Sequence, residues 1–278
     1  MRLIARSIVV GILIALLPAN VWLLLLATLR VPLASAVEAA FLGVLIWWAS
    51  GGGPPHRFDT ARRTAFRTVP HGARVWVWSL VAAVAFAATV HAAMVVLFRL
   101  VPFPADEFHR GYDISFIPTR SLQWLAVVVS AASAGVCEEI GFRGYMQRPI
   151  ELQRGTGQAI VISSLAFMLI HLTKGWALVG MVPIVFGAGL MLGALARASR
   201  SLIPGMIGHT IMDIGLFGFW WTGLAGAFTA RPIGETGLDR SFVLAAGAAM
   251  AFLVTVLFAL TRLVADRQRA PEAGRVLL

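Results

Sequence analysis

Eight ionisable side chains fall inside apolar stretches of this sequence: Glu38, His91, Glu138, Glu139, Arg143, His171, His209 and Asp213. A charged side chain at the centre of a bilayer costs about 2.5–3.5 kcal/mol on insertion scales, so each should face a protein interior or a watery cavity. Glu139 and Arg143 are four residues apart and share a helical face, so they can pair. Glu138 points about 100° away and keeps its carboxylate for another partner. Phe167 and His171 share a face by the same spacing. His209 and Asp213 set an imidazole and a carboxylate on one face. That spacing suits joint metal ligation, and equally a pair of hydrogen-bond donors. Taken singly, each has a plainer structural reading: an ion pair at a helix end, a histidine donating to a structural acceptor, a polar pair that glues helices.

The elements that must position these residues are membrane helices. Of 278 residues, 59% are hydrophobic and 13% charged, against about 25% charged in soluble domains. Apolar runs of spanning length recur along the chain, and they predict about eight helices, at 7–28, 31–50, 74–98, 121–147, 157–173, 176–196, 202–223 and 241–264. The fold class is therefore all-α and polytopic, a single transmembrane domain over 1–278 whose chemistry is concentrated at about 120–220. Straight helices would place Glu138 and His171 roughly 15 Å apart in depth, from the 1.5 Å rise per residue. A shared site therefore requires helices that tilt, break or start within the membrane, and Gly135, Gly141 and Gly144 fit a distorted fourth span.

The net charge of +10 reads as topology and not as nucleic-acid binding. With the N-terminus cytoplasmic, sixteen of the 23 Lys and Arg residues fall on the inner side and seven on the outer. By the positive-inside rule both termini face the cytoplasm. Trp47, Trp48, Trp76 and Trp78 at inner ends, and Trp124, Trp176, Trp220 and Trp221 at outer ends, read as an interfacial belt. The lone Cys137 excludes an internal disulfide and a cysteine-based zinc site. The first span reads as a retained helix, the basic loop 51–73 as a flexible or interfacial segment, and the tail from Asp266 as disordered. Glu38 reads as snorkelling or paired, His91 as a structural donor, and Gly189 with Gly193 as a close helix contact.

Taken in order, Glu138-Glu139-x-x-x-Arg143, Phe167-x-x-x-His171 and His209-x-x-x-Asp213 form a pattern. It resembles the CPBP family (CAAX prenyl endopeptidase and bacteriocin-processing) of intramembrane proteases. Phe142-Arg143-Gly144-Tyr145-Met146-Gln147 and Ser201-Leu202-Ile203-Pro204 extend the likeness, which covers roughly residues 120–220. Asp213 stands where the eukaryotic members carry Asn.

The resemblance implies an intramembrane endopeptidase. It assigns Glu138 and His171 to an activated water, His209 and Asp213 to the carbonyl oxygen, and Glu139, Arg143 and Phe167 to support. It leaves two versions open. One uses no cofactor. The other holds zinc with Glu138, His171, His209 and Asp213 as the candidate ligands. The implied partners are a membrane protein or lipidated peptide as substrate and the lipid bilayer, with no nucleic acid. The Arg- and Ala-rich, Lys-poor composition suggests a bacterium with a GC-rich genome, which argues against a CAAX-protein substrate and makes the bacterial cytoplasmic membrane the expected location. Two other functions fit the same helices: a non-enzymatic scaffold or immunity protein, and a proton-coupled transporter. The transporter is disfavoured because the ionisable residues show no counterpart in the first half.

Overall fold

The computed structural model describes residues 2–67, 72–172 and 180–269, and among them the protein is all helix. Lys174 and Trp176, the opening of the predicted 176–196 span, and the tail beyond Arg269 lie outside the described residues.

The chain runs through α1 (Arg2–Thr28), α2 (Val31–Ala49), α3 (Asp59–Phe66), α4 (Ala73–Leu100), α5 (Ala105–Gly111) and α6 (Arg120–Glu138). A π-helical stretch, Glu139–Gln147, then leads into α7 (Arg148–Arg154) and α8 (Thr156–Leu172). After these come α9 (Val182–Ser199), α10 (Ile203–Gly215), a second π-helical stretch (Leu216–Trp221), α11 (Ile233–Thr236) and α12 (Arg240–Arg269). Six helical segments are long and apolar enough to cross a membrane: Leu3–Thr28, Val31–Ala49, Ala73–Leu100, Arg120–Arg154, Val182–Ser199 and Arg240–Asp266. Thr156–Leu172 is apolar but shorter, and Ile203–Gly215 is shorter still and continues into π-helix. The molecule is a polytopic all-α membrane protein, with six helical segments of spanning length and two shorter ones among the described residues, where about eight spans were expected.

The peripheral helices are apolar on their outer sides, as lipid contact requires. α1 exposes Leu17, Leu23 and Leu24, and α12 exposes Met250, Val254 and Leu257. Polar side chains turn inward. Trp22 is buried and donates from Nε1 to Ser130 Oγ at 2.6 Å. Ser133 donates to the buried Glu38 at 2.7 Å, so Glu38 is paired and does not snorkel.

Three expectations need correction. Trp220 and Trp221 are not in an interfacial belt. Both are buried, Trp220 among Phe98, Phe103 and Phe228 and Trp221 against Phe108 and Tyr112. The loop after α2 is not a loose segment as far as Arg67. Arg62 donates to the Gly53 carbonyl and pairs with Asp59, its guanidinium lies over the Trp48 ring, and Arg67 pairs with Glu151 at 3.0 Å. The tail expected to be disordered from Asp266 is helical as far as Arg269, where the last span was expected to end at 264.

The distortion of the fourth span is a π-helical stretch beginning at Glu139, directly after Glu138. Its wider turn holds because α1 packs along it without side chains between them. A Cβ on Gly141 would sit 2.4 Å from the Gly11 carbonyl oxygen, and one on Gly11 2.8 Å from that of Gly141. At the other end of the stretch Gln147 donates to the Gly193 carbonyl at 3.0 Å and to Glu151 at 2.8 Å. Gly189 and Gly193 do mark close contacts of α9, with Ser164 and with Gln147 and Ile160.

Candidate active site

Glu138, His171, His209 and Asp213 line one cavity of about 70 Å³, although they come from α6, α8 and α10. At roughly 10–15 Å³ per water in this measure, that is room for several waters. The depth separation that straight helices would impose is therefore overcome.

Glu139 and Arg143 form the pair that their spacing implies, Oε1 to Nη1 at 3.1 Å, both buried. The same Glu139 oxygen also lies 3.1 Å from His209 Nδ1. This second contact was not legible in the sequence, because it joins residues 70 positions apart. Gly205 makes space for it, since a Cβ there would stand 2.8 Å from Glu139 Oε2. The other ring nitrogen, His209 Nε2, is 3.9 Å from Glu138 Oε2 and 3.7 Å from Asp213 Oδ2. His209 therefore stands beside Glu138 in the cavity, in addition to the His171 that the resemblance pairs with it.

His171 Nδ1 lies 2.8 Å from the Phe167 carbonyl oxygen. A carbonyl only accepts, so Nδ1 carries the hydrogen, and in the neutral ring Nε2 is left as an acceptor. Phe167 is the shared packing surface. Its ring lies 4.5 Å from that of His171, 5.9 Å from that of His209 and 5.3 Å from that of Phe142. The Arg143 guanidinium sits 4.5 Å over it, within cation–π range. One phenyl ring therefore sets the relative placement of both histidines and the arginine.

His91 does not line the cavity. It lies 3.1 Å from the Met212 carbonyl through Nε2 and accepts from Trp220 Nε1 at 3.2 Å through Nδ1. Its tautomer is thereby assigned, with the hydrogen on Nε2. Among the described residues no group of three or more His, Cys, Asp or Glu side chains is arranged to hold a metal ion.

The rest of the cavity wall is apolar or aromatic, and includes Tyr112, Met181, Phe217 and Trp221. The motifs did not point to these residues. Of these, only Trp221 is named from the sequence, as part of an interfacial end.

The site is a buried carboxylate–imidazole cavity inside a polytopic helical membrane protein. Residues 120–215 match a family model described as "Type II CAAX prenyl endopeptidase Rce1-like". This stretch runs from α6 to α10, carries all three motifs, and is similar to an intramembrane protease. No curated protein and no solved structure matches the chain.

Proposed function

We propose that the protein is an intramembrane endopeptidase that hydrolyses a peptide bond of a membrane-associated protein or peptide, with Glu138 as general base. The observation that carries this reading is the division of labour between adjacent carboxylates. Glu139 is held by Arg143 and His209, whereas Glu138 lines the cavity where a water would sit.

In the mechanism that follows, Glu138 takes a proton from the water as its oxygen attacks the carbonyl carbon. His171 Nε2 accepts a hydrogen bond from the same water and orients it. The carbonyl oxygen gains negative charge, which positioned donors stabilise. His209 Nδ1 faces Glu139, so Nε2 donates only when the ring is protonated. With His209 and Arg143 cationic and Glu138 and Glu139 anionic, the cluster is neutral when Asp213 carries a proton. A neutral cluster is the least costly state in a poorly hydrated site. Asp213 then serves as the second donor to the oxygen. The proton on Glu138 passes to the leaving amine, which completes hydrolysis. Both termini are cytoplasmic, in a bacterial cytoplasmic membrane.

The test compares Glu138→Gln with Glu139→Gln in detergent, measuring peptide cleavage and melting temperature for each. A general base contributes about 10²–10⁴-fold to rate, so Glu138→Gln should lose at least 10²-fold, roughly the lower bound of that range, while melting near the parent. Glu139→Gln should melt lower, because it leaves Arg143 buried without its carboxylate, and should retain more activity. The reverse pattern exchanges the two roles. Full cleavage by both variants removes both carboxylates from the chemistry, and no cleavage by the folded parent protein favours a scaffold.

A further inference from the structure

The π-helical stretch Glu139–Gln147 begins directly after Glu138 and ends in a second polar cluster. A π-helix closes its turns with i→i+5 bonds and is rare, so surrounding contacts must hold it. At its start Glu139 is held by Arg143 and His209. In its middle the Gly141 backbone lies against Gly11 of α1. At its end the contacts reach α7, α8 and α9, and then a residue outside the matched 120–215 stretch.

Gln147 is fully buried, and both ends of its amide are used. Nε2 donates to the Gly193 carbonyl of α9 at 3.0 Å and to Glu151 Oε1 of α7 at 2.8 Å. Oε1 accepts from Ser163 of α8 at 3.4 Å. Glu151 Oε1 also accepts from Arg67 Nη2 at 3.0 Å, and Glu151 Oε2 accepts from Arg148 Nη1 at 3.3 Å. Arg67 and Glu151 are both buried. Arg67 directly follows α3 and takes the left-handed conformation, with φ 58°. At a helix end that conformation usually falls to Gly or Asn. A residue held in it against preference needs surroundings that over-determine it, and the buried guanidinium–carboxylate pair supplies them. α3 also seats on the stretch itself. A Cβ on Gly144 would lie 3.2 Å from the Ala65 carbonyl oxygen.

We propose that Arg67 is a positioning residue for the reaction, which through Glu151 and Gln147 clamps the far end of the π-helical stretch and so keeps Glu138 turned into the cavity. This rests on the protease reading of that cavity. A π-turn that tightens to α-helix shifts the register by one residue, and one residue is about 100° of rotation. With both ends held, the wide turn cannot tighten. With the Gln147 end released, tightening turns the two flanking helices against each other, and Glu138 stands on the flank that must face the cavity. Arg67 touches no reacting atom and acts only through Glu151 and Gln147.

Removing one charge alone leaves its partner buried and unpaired, which is strongly destabilising. The test therefore replaces both, Arg67→Met with Glu151→Leu, since a buried ion pair exchanged for apolar residues of similar size is often neutral in stability. Gln147 keeps its bond to Gly193, and Arg148 is partly exposed and stays hydrated. Three quantities are measured on purified protein in detergent: melting temperature, hydrogen exchange of the 139–147 amides by mass spectrometry, and cleavage of an internally quenched fluorescent peptide. The double variant should melt near the parent and exchange those amides about tenfold faster, as a locally loosened segment does. Its kcat should fall about 10-fold to 10²-fold, the scale of a small misplacement of a catalytic group, with KM within about twofold of the parent. Arg67→Lys keeps a donor to Glu151 and should hold kcat nearer the parent than the double variant does. Glu151→Gln, which keeps the shape and one acceptor, carries the same expectations and replaces the double variant if that does not fold. Unchanged exchange in folded protein overturns the clamp. Faster exchange with parental kcat overturns the positioning role. If the folded parent cleaves no peptide, the protease reading fails, and the exchange result still decides the clamp.

Discussion

In the proposed mechanism, Asp213 and His209 hold the developing oxyanion. The Asp213 carboxyl lies 3.7 Å from His209 Nε2, and an ionised Asp cannot donate to an oxyanion. If it works as a protonated donor, Asp213→Asn should keep cleavage within about tenfold of the parent, because the amide supplies a neutral N–H. Asp213→Ala should lose about 10²–10³-fold, the usual cost of removing one oxyanion donor. Steady-state kinetics on the pair checks this, and equal loss in both variants would mean that the carboxylate charge itself is needed. Phe167 acts at the same scale through packing. Phe167→Ala removes a buried ring that touches His171, His209 and Arg143. It should cost about 3–5 kcal/mol of stability, visible as a lower melting temperature.

At the scale of elements, the cavity depends on where α10 gives way to π-helix. The Met212 carbonyl, one residue before Asp213, receives the His91 contact from α4, and Gly215 leaves the space that the His91 ring fills. A Cβ on Gly215 would lie 2.4 Å from His91 Nε2. Gly215→Ala should therefore displace His91, break its bonds to Met212 and Trp220, and lower kcat more than it raises KM. Overpacking of this kind also costs about 1–3 kcal/mol of stability. A Gly215→Ala variant with parental kinetics would show that the turn holds without His91. The sequence reads His91 as a structural donor, but its acceptor was not legible, because the contact joins α4 to α10 across 121 positions.

At the scale of the whole molecule, the connections at the two ends of the bundle differ in chemistry. Arg99, at the end of α4, is 1% exposed and donates to both Asp239 oxygens, to Ser241 and to the Arg231 carbonyl. The Arg99 hydrogen bond, helped by the Phe242 N–H and Ser241, holds the Asp239 carboxyl well below the usual carboxylate range. A carboxylate whose pKa is depressed on folding stabilises fully above its unfolded value, and that stability is lost as pH falls through the folded one. Parent protein should therefore melt above Asp239→Asn at pH 6, and the gap should narrow as pH is lowered below about 4, near the free Asp value. A gap that stays constant with pH would remove the ionic part of this lock. The proposed orientation is tested on the same molecule, whose single cysteine is buried. In a Cys137→Ala background, an impermeant maleimide should label Glu235→Cys in intact cells, and Thr60→Cys only after permeabilisation. The opposite pattern inverts the topology.

The apolar runs by themselves determined the helical membrane class, because backbone in lipid must satisfy its own hydrogen bonds and a spanning helix needs a run of set length. Spacing of four residues likewise settled the Glu139–Arg143 pair, since neighbours on one helical face meet whatever surrounds them. Only the tertiary structure decided that Glu139 also reaches His209, that Trp220 and Trp221 are buried, and that Tyr112 closes onto the cavity. Each of these depends on how separate helices approach, through small residues such as Gly11, Gly141, Gly205 and Gly215 that let backbones and rings come close. Such approaches are set by the fit of two surfaces, and neither surface is written in a local stretch of chain.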